Sequence, residues 1–158
     1  MPCYLFTWHA YGSWMPDRPQ GYVKAGKILP TDHDLAAVYR ARQREATVEF
    51  ESNTQHMVID ELVLTAEYRR FRLHFVATDP SHLHVLVSWP DERTFTLLRR
   101  GIRESISRRL NLQNRRDWLS HRGSRKRVCD QSHFVYLVES YLPGHRGWKW
   151  EEKRGKFI

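Results

Sequence analysis

The stretch from Arg72 to Trp89 constrains the fold more than any other part of the chain. Leu73, Phe75 and Ala77 alternate with Arg72, His74 and Val76. Asp79-Pro80-Ser81 then turns the chain, and His82-Leu83-His84-Val85-Leu86-Val87-Ser88-Trp89 alternates again before Pro90. Successive side chains on a strand point to opposite faces, so two such runs joined by turn residues predict a long antiparallel hairpin. A sheet built on it must cover its apolar face, and the sequence supplies helices for that purpose. Asp32 or Asp34 can cap a helix through Leu35, Val38 and Tyr39 to about Ala46. Asn53 can cap a second, with Val58, Leu62, Thr65 and Ala66 at helical spacing. Phe95, Leu98, Ile102, Ile106 and Leu110 form the stripe of a third, and Ser132 can cap a last helix to about Tyr141, disrupted by Pro143 and Gly144. With a strand from Tyr4 to Tyr11 and a short one at Arg127-Val128-Cys129, the order is strand, helix, helix, hairpin, helix, strand, helix. That order predicts an α+β fold: an antiparallel sheet with helices packed on one face.

The 158 residues suit a single domain, with 146–158 read as a C-terminal tail and Gly12 to Pro30 as a long irregular loop. A hydrophobic share of 41% excludes a disordered chain. No apolar run approaches the ~20 residues of a membrane span, and the first residues lack the pattern of a signal peptide. Cys3 and Cys129 need not pair, so a reducing cytoplasm, in association with the nucleoid, is the expected location. The net charge of +8 favours phosphate polymers as partners. Anionic membranes attract the same charge but usually call for an amphipathic lipid-facing helix, and the basic helix here uses its apolar stripe for the core.

His82 and His84 are the sharpest chemical feature. Two apart on a strand, they share one face and can chelate one metal ion or hold one phosphate, with Leu83, Val85 and Val87 packing behind them. The bland reading is a pair of half-buried histidines satisfied by hydrogen bonds. Tyr141 falls on one helix face with Phe134, Leu137 and Val138 and so turns toward the sheet. Tyr136, two residues from Val138 on the helix, points the other way. Alternatively, Tyr141 is a core aromatic with its hydroxyl at the rim. His145 follows Tyr141 by four residues and, past Pro143, can reach the same place from a loop or kinked turn; otherwise it is a surface histidine. Between Arg93 and Arg127 lie twelve Arg and Lys, including Arg99, Arg100, Arg103, Arg122, Arg125, Lys126 and Arg127, against Glu104 and Asp117. Such a face calls for an anion, and a phosphate backbone fits. Trp8, Tyr11, Trp14 and Tyr22 flank the glycine- and proline-rich loop, where they can stack on unpaired bases or close a small core.

These residues, taken in order, resemble the single-tyrosine HUH transposases, and most of all the REP-associated tyrosine transposases with an IS200-like domain. The matching segments are Thr7-Trp8-His9-Ala10-Tyr11-Gly12-Ser13-Trp14 with Gly21-Tyr22-Val23, then Asp79-Pro80-Ser81-His82-Leu83-His84-Val85-Leu86-Val87. The last are Trp118 to Val128 and Tyr141-Leu142-Pro143-Gly144-His145. The resemblance implies a ferredoxin-like core and a Mg²⁺ or Mn²⁺ ion held by His82, His84 and His145. It implies that Tyr141 attacks a phosphate of single-stranded or hairpin DNA, keeps the 5′ end as a phosphotyrosine and frees a 3′ hydroxyl. Trp14, Arg99, Arg100, Arg103, Arg125, Lys126 and Arg127 are the expected DNA contacts, in a monomer or a homodimer. Two rivals stand beside this expectation: a non-catalytic protein that binds hairpin DNA or RNA, domesticated from a transposase, and a phosphodiesterase that uses water in place of the tyrosine.

Overall fold

A computed structural model describes residues 1–121 and 123–158; Arg122, one of the basic residues named above, lies outside the described residues. The elements in chain order are β1 (Cys3–His9), β2 (Tyr22–Lys24), β3 (Lys27–Leu29), α1 (His33–Arg42), α2 (Ser52–Arg69), β4 (Arg72–Asp79) and β5 (His82–Ser88). They continue with α3 (Phe95–Asn111), β6 (Ser124–Arg127), α4 (Gln131–Tyr136), a π-helical turn (Leu137–Tyr141), β7 (Lys149–Glu151) and β8 (Gly155–Phe157).

The hairpin forms as its alternation predicts, and it is the heart of a six-stranded sheet in the order β6-β1-β5-β4-β7-β8. All of the sheet's pairings are antiparallel. Within it, β1, α2, β4, β5, α3 and β6 make a βαββαβ unit with β1 and β5 at its centre, the ferredoxin-like arrangement that the family resemblance implies. Leu83, Val85 and Val87 face α2 and α3 and close the main core with Phe6, Ile59, Leu62, Ile102 and Ile106. Truncating one of these fully buried side chains to alanine costs about 2–5 kcal/mol.

Helical cover is not confined to that face. Leu5, Phe75, Ala77 and Leu86 point the other way and pack under Leu137 and Leu142, so the last helical segment lies across the sheet from α2 and α3. The reason is visible in β5: Val85-Leu86-Val87 is apolar on both sides, and Leu86 needs a cover of its own. Strand β4 departs from simple alternation too. A register shift between Leu73 and Phe75 puts those two residues on opposite faces, Leu73 in the main core and Phe75 in the smaller one.

Three further segments differ from the sequence expectation. The residues read as a C-terminal tail carry β7 and β8, which extend the sheet beyond β4 through Phe75↔Glu151, Val76↔Trp150 and Ala77↔Lys149. The alternation of Trp148 and Trp150 with Lys149 and Glu151 is a strand pattern, and both indoles pack on the main core. The loop from Gly12 to Pro30 contains the β2–β3 hairpin, whose two-residue turn, Ala25-Gly26, has positive φ at both positions (52° and 76°) and so matches the twist of paired strands. The late strand lies at Ser124–Arg127 and not at Arg127–Cys129, because it pairs with β1 from Tyr4 to Thr7. Caps follow local chemistry: Asp32 accepts from the Leu35 N–H and Asp130, not Ser132, accepts from the His133 N–H. Glu51, in place of Asn53, precedes α2 without a side-chain cap.

Candidate active site

The histidine pair points to the face opposite the main core, and β1 lies directly beside it. The register sets Thr7 against His84 and His9 against His82. His145 comes up from the turn that follows the π-helical segment, so Pro143 does not keep it away. One nitrogen each of His82, His84 and His145 can be drawn into a group whose members all lie within 4.8 Å of one another. The ring centroids are 4.9 Å apart for His82–His84, 5.4 Å for His82–His145 and 4.6 Å for His84–His145.

Each ring is oriented through its Nδ1. The Thr7 hydroxyl is 2.6 Å from His84 Nδ1, and the Ser81 hydroxyl is 2.9 Å from His82 Nδ1. His145 Nδ1 lies 3.1 Å from the Leu142 carbonyl oxygen, which can only accept, so that nitrogen is the donor and Nε2 is the one turned to the group. Burial holds the His84 imidazole neutral, with its pKa pushed down to about 2, and the neighbouring His82, His145 and His9 rings reinforce the shift. His82 is lowered as well, first by burial, and His9 is lowered to about 4 by burial and by His82. Three imidazoles that converge, with outer nitrogens hydrogen-bonded, are the donor set a divalent cation requires. The residues therefore fit a metal ion.

Tyr141 stands over this group. Its hydroxyl is 3.5 Å from His84 Nε2, and its ring packs edge-on against His84 and His145 at centroid distances of 5.5 and 5.2 Å. It is 38% exposed, open to a ligand. Burial raises its pKa and the adjacent Tyr136 adds to the effect, so the phenol carries its proton at neutral pH. Tyr136 does not point away. Its ring stacks beside that of Tyr141 at 6.3 Å, and both line one cavity of about 510 Å³ with His82 and His84. Five residues along an α-helix would place the two rings about 140° apart. The Leu142 N–H bonds instead to the Leu137 carbonyl, five residues back at 2.9 Å, and this wider turn brings both tyrosines to one side.

The expected DNA contacts are split by the sheet. Trp14 and Lys126 line the histidine cavity, together with Arg18, Ser13 and Ser124. Arg125, next in line on β6, faces the other way, with its guanidinium 4.2 Å over the Phe95 ring, and Arg99, Arg100 and Arg103 lie on that side on α3. Arg127 is exposed at the end of β6. Thr7, His9 and Arg18 were not anticipated as site residues. The Thr7/His9 spacing of two was a legible sign, but only the β1–β5 register turns it into a neighbour of the histidine pair.

No protein-family model and no curated protein matches the sequence. Comparison with solved structures does find similar folds. A REP-associated tyrosine transposase, solved bound to a REP hairpin, superposes with a TM-score of 0.55 over 89% of this chain at 12% identity. This chain has a tyrosine transposase fold. It spans 64% of that transposase's length. A protein from Deinococcus radiodurans R1 that carries a transposase description is similar over 92% of this chain and 91% of its own, with a TM-score of 0.48 and 11% identity. Among the described residues no helix is long and apolar enough to cross a membrane.

Proposed function

We propose that this protein is a metal-dependent single-strand DNA nickase and strand transferase of the single-tyrosine HUH kind, acting at hairpin-associated sites. The observation that carries the reading is the Tyr141 hydroxyl 3.5 Å from His84 Nε2, beside three histidines whose nitrogens converge. His82, His84 and His145 would hold a Mg²⁺ or Mn²⁺ ion, and an all-imidazole set favours Mn²⁺ of the two. When bound, such a cation polarises a phosphate and offsets the charge that develops on it.

The chain's own groups do the rest. Arg18 and Lys126 bring positive charge to the cavity wall and can hold the phosphate against Tyr141. The Tyr141 oxygen forms a bond to phosphorus as the phosphorus–O3′ bond breaks. The phenol proton is lost and the departing 3′ oxygen takes one up. The 5′ end stays on Tyr141 as a phosphodiester, so a 3′ hydroxyl can reverse the step on another strand without a nucleotide cofactor. Trp14 at the cavity's edge suits an unpaired base better than a stacked duplex.

The test is a 3′-labelled hairpin oligonucleotide incubated with the protein and Mn²⁺ and resolved on a denaturing gel. A labelled protein adduct that disappears in Tyr141→Phe is the expected outcome. Cleavage without any adduct would make water the nucleophile, and tight binding without cleavage would make this a hairpin-binding protein.

A further inference from the structure

A second cavity, of about 330 Å³, opens on the opposite face of the sheet from the histidines, between α3 and the segment that leads into β6. Trp8 forms part of its wall. Trp8 pairs with Leu83 in the sheet and shares that residue's face, away from His82 and His84. The rest of the wall is Thr96, Arg99, Arg100, Arg103 and His121, with Glu104 at one side.

The charge in this cavity is unbalanced. Glu104 is taken up by Arg100, at 2.9 Å. Among the described residues, Arg99 and Arg103 form no ion pair. They reach only backbone oxygens, Arg99 that of Gly123 at 3.3 Å, and Arg103 those of Leu119 at 3.1 Å and Ser120 at 3.5 Å. Burial and the nearby Arg125 both press against the charge on Arg99. Among the described residues, two buried donors at this cavity have no acceptor: the indole N–H of Trp8, a residue with 0% exposure, and the Nε–H of Arg103. A buried donor without an acceptor is destabilising, and more so on a charged group. Cations and orphaned N–H groups around one space lack the same thing, an anion with several oxygens.

We propose that this cavity binds a phosphate group, held between Arg99 and Arg103 with Trp8 as a donor from the sheet. The source we assign to it is the backbone of a nucleic-acid strand. His121 lines both this cavity and the neighbouring groove, which runs past Trp14 and Tyr22 and shares Arg18 and Ser124 with the histidine cavity. A strand leaving the histidines can therefore pass the open edge at β6 and reach the arginines. That the phosphate belongs to the DNA substrate rests on the nickase reading; that the cavity takes a phosphate does not.

The experiment reads the indole N–H resonances of the ¹⁵N-labelled protein, with Trp8 identified by the signal lost in Trp8→Phe. Inorganic phosphate should move that signal saturably, while chloride at equal ionic strength leaves it in place. Arg103→Gln should weaken the response about tenfold or more, the worth of one charge-assisted hydrogen bond. Because Arg103 also holds the Leu119 carbonyl, Thr96→Glu is the cleaner variant. It alters an exposed side chain and puts a carboxylate at the cavity, so it should abolish the phosphate response while the Trp8 signal remains dispersed. A Trp8 signal that ignores phosphate, or follows chloride equally, overturns the site. A hairpin oligonucleotide should move the same signal at far lower concentration in His84→Ala, which cannot cut. Failure of the oligonucleotide alone overturns the strand as the source and leaves free phosphate as the ligand, whether or not the protein is a nickase.

Discussion

His82 and His84 reach the site from β5, a strand hydrogen-bonded on both sides, whereas Tyr141 and His145 reach it from a six-residue helix that widens into a π turn and then breaks. The first pair is positioned by the pleat of a sheet whose neighbours, Leu83, Val85 and Val87, are fully buried. The second is positioned by contacts that reach it from outside its own segment. Leu137 and Leu142 anchor the helix on the sheet, and the Lys149 ammonium, itself 5% exposed, donates to the carbonyls of His145 at 2.8 Å and Gly147 at 3.0 Å. One half of the site is therefore written in a local pattern. The other depends on residues that meet only when the chain has folded.

The largest effect should come from breaking either half outright. His84→Ala or His82→Ala should abolish adduct formation and heat of Mn²⁺ binding in calorimetry, while most of the DNA affinity that the proposal assigns to the arginines should survive. Tyr141→Phe should abolish the adduct and leave Mn²⁺ binding in place. Metal binding that is unchanged in both histidine variants would remove the metal centre from this account.

Lys149→Met sharpens the comparison, since it touches only the helix-borne half. The methionine fills the same space next to Phe157 but leaves the carbonyls of His145 and Gly147 without a donor. Loss of an outer group that orients a ligand typically weakens metal binding about 10–100-fold. Calorimetry with Mn²⁺ should show a loss in that range for Lys149→Met, with an unaltered circular dichroism spectrum. A full-strength site would mean that His145 is held by its own turn alone.

The strand-borne half should reveal itself in acid. His84 is neutral in the folded protein, with a pKa near 2, against 6.5 in the unfolded chain. Below pH 6.5 the unfolded state gains a proton that the folded state refuses, so stability is lost as pH falls from there toward the folded value. Between pH 7 and pH 5 this amounts to about 2 kcal/mol for His84 alone. Urea unfolding in the presence of a chelator should show the wild type losing about that much more stability over this interval than His84→Gln. Equal losses would mean that the ring is protonated in the fold and is not poised for a metal.

What was legible in the sequence follows the same division. The β4–β5 hairpin, the shared face of His82 and His84, and the stripe of α3 rest on periodicities of two and 3.6, which any short window displays. The antiparallel α+β plan follows from their order. The side on which the last helix packs was not legible, because it depends on Leu86 needing cover on a second face. Nor was the strand at Lys149–Glu151, which is too short to stand out from a charged terminus until β4 offers it an edge. Tyr136 is the clearest case: an α-helical wheel sends it away from Tyr141, and one hydrogen bond to the fifth residue back, a tertiary choice, reverses that.

The smallest effect is expected at Tyr136, and it tests that reversal directly. Its ring stacks on Tyr141 with planes 29° apart, and it is 55% exposed. Tyr136→Phe keeps the ring and removes an oxygen that makes no hydrogen bond among the described residues, so adduct yield should change by less than about threefold, within 1 kcal/mol. Tyr136→Ala removes the stack. An aromatic pair of this kind is worth about 0.5–1.5 kcal/mol, so Tyr141 should be less well held and the adduct rate should fall about two- to tenfold. Mass-spectrometric mapping of the adduct in both variants should place it on Tyr141. If Tyr141→Phe still forms an adduct and it maps to Tyr136, the π turn has delivered the other phenol to the phosphate, and the assignment of the nucleophile must be exchanged between two rings that line the same cavity.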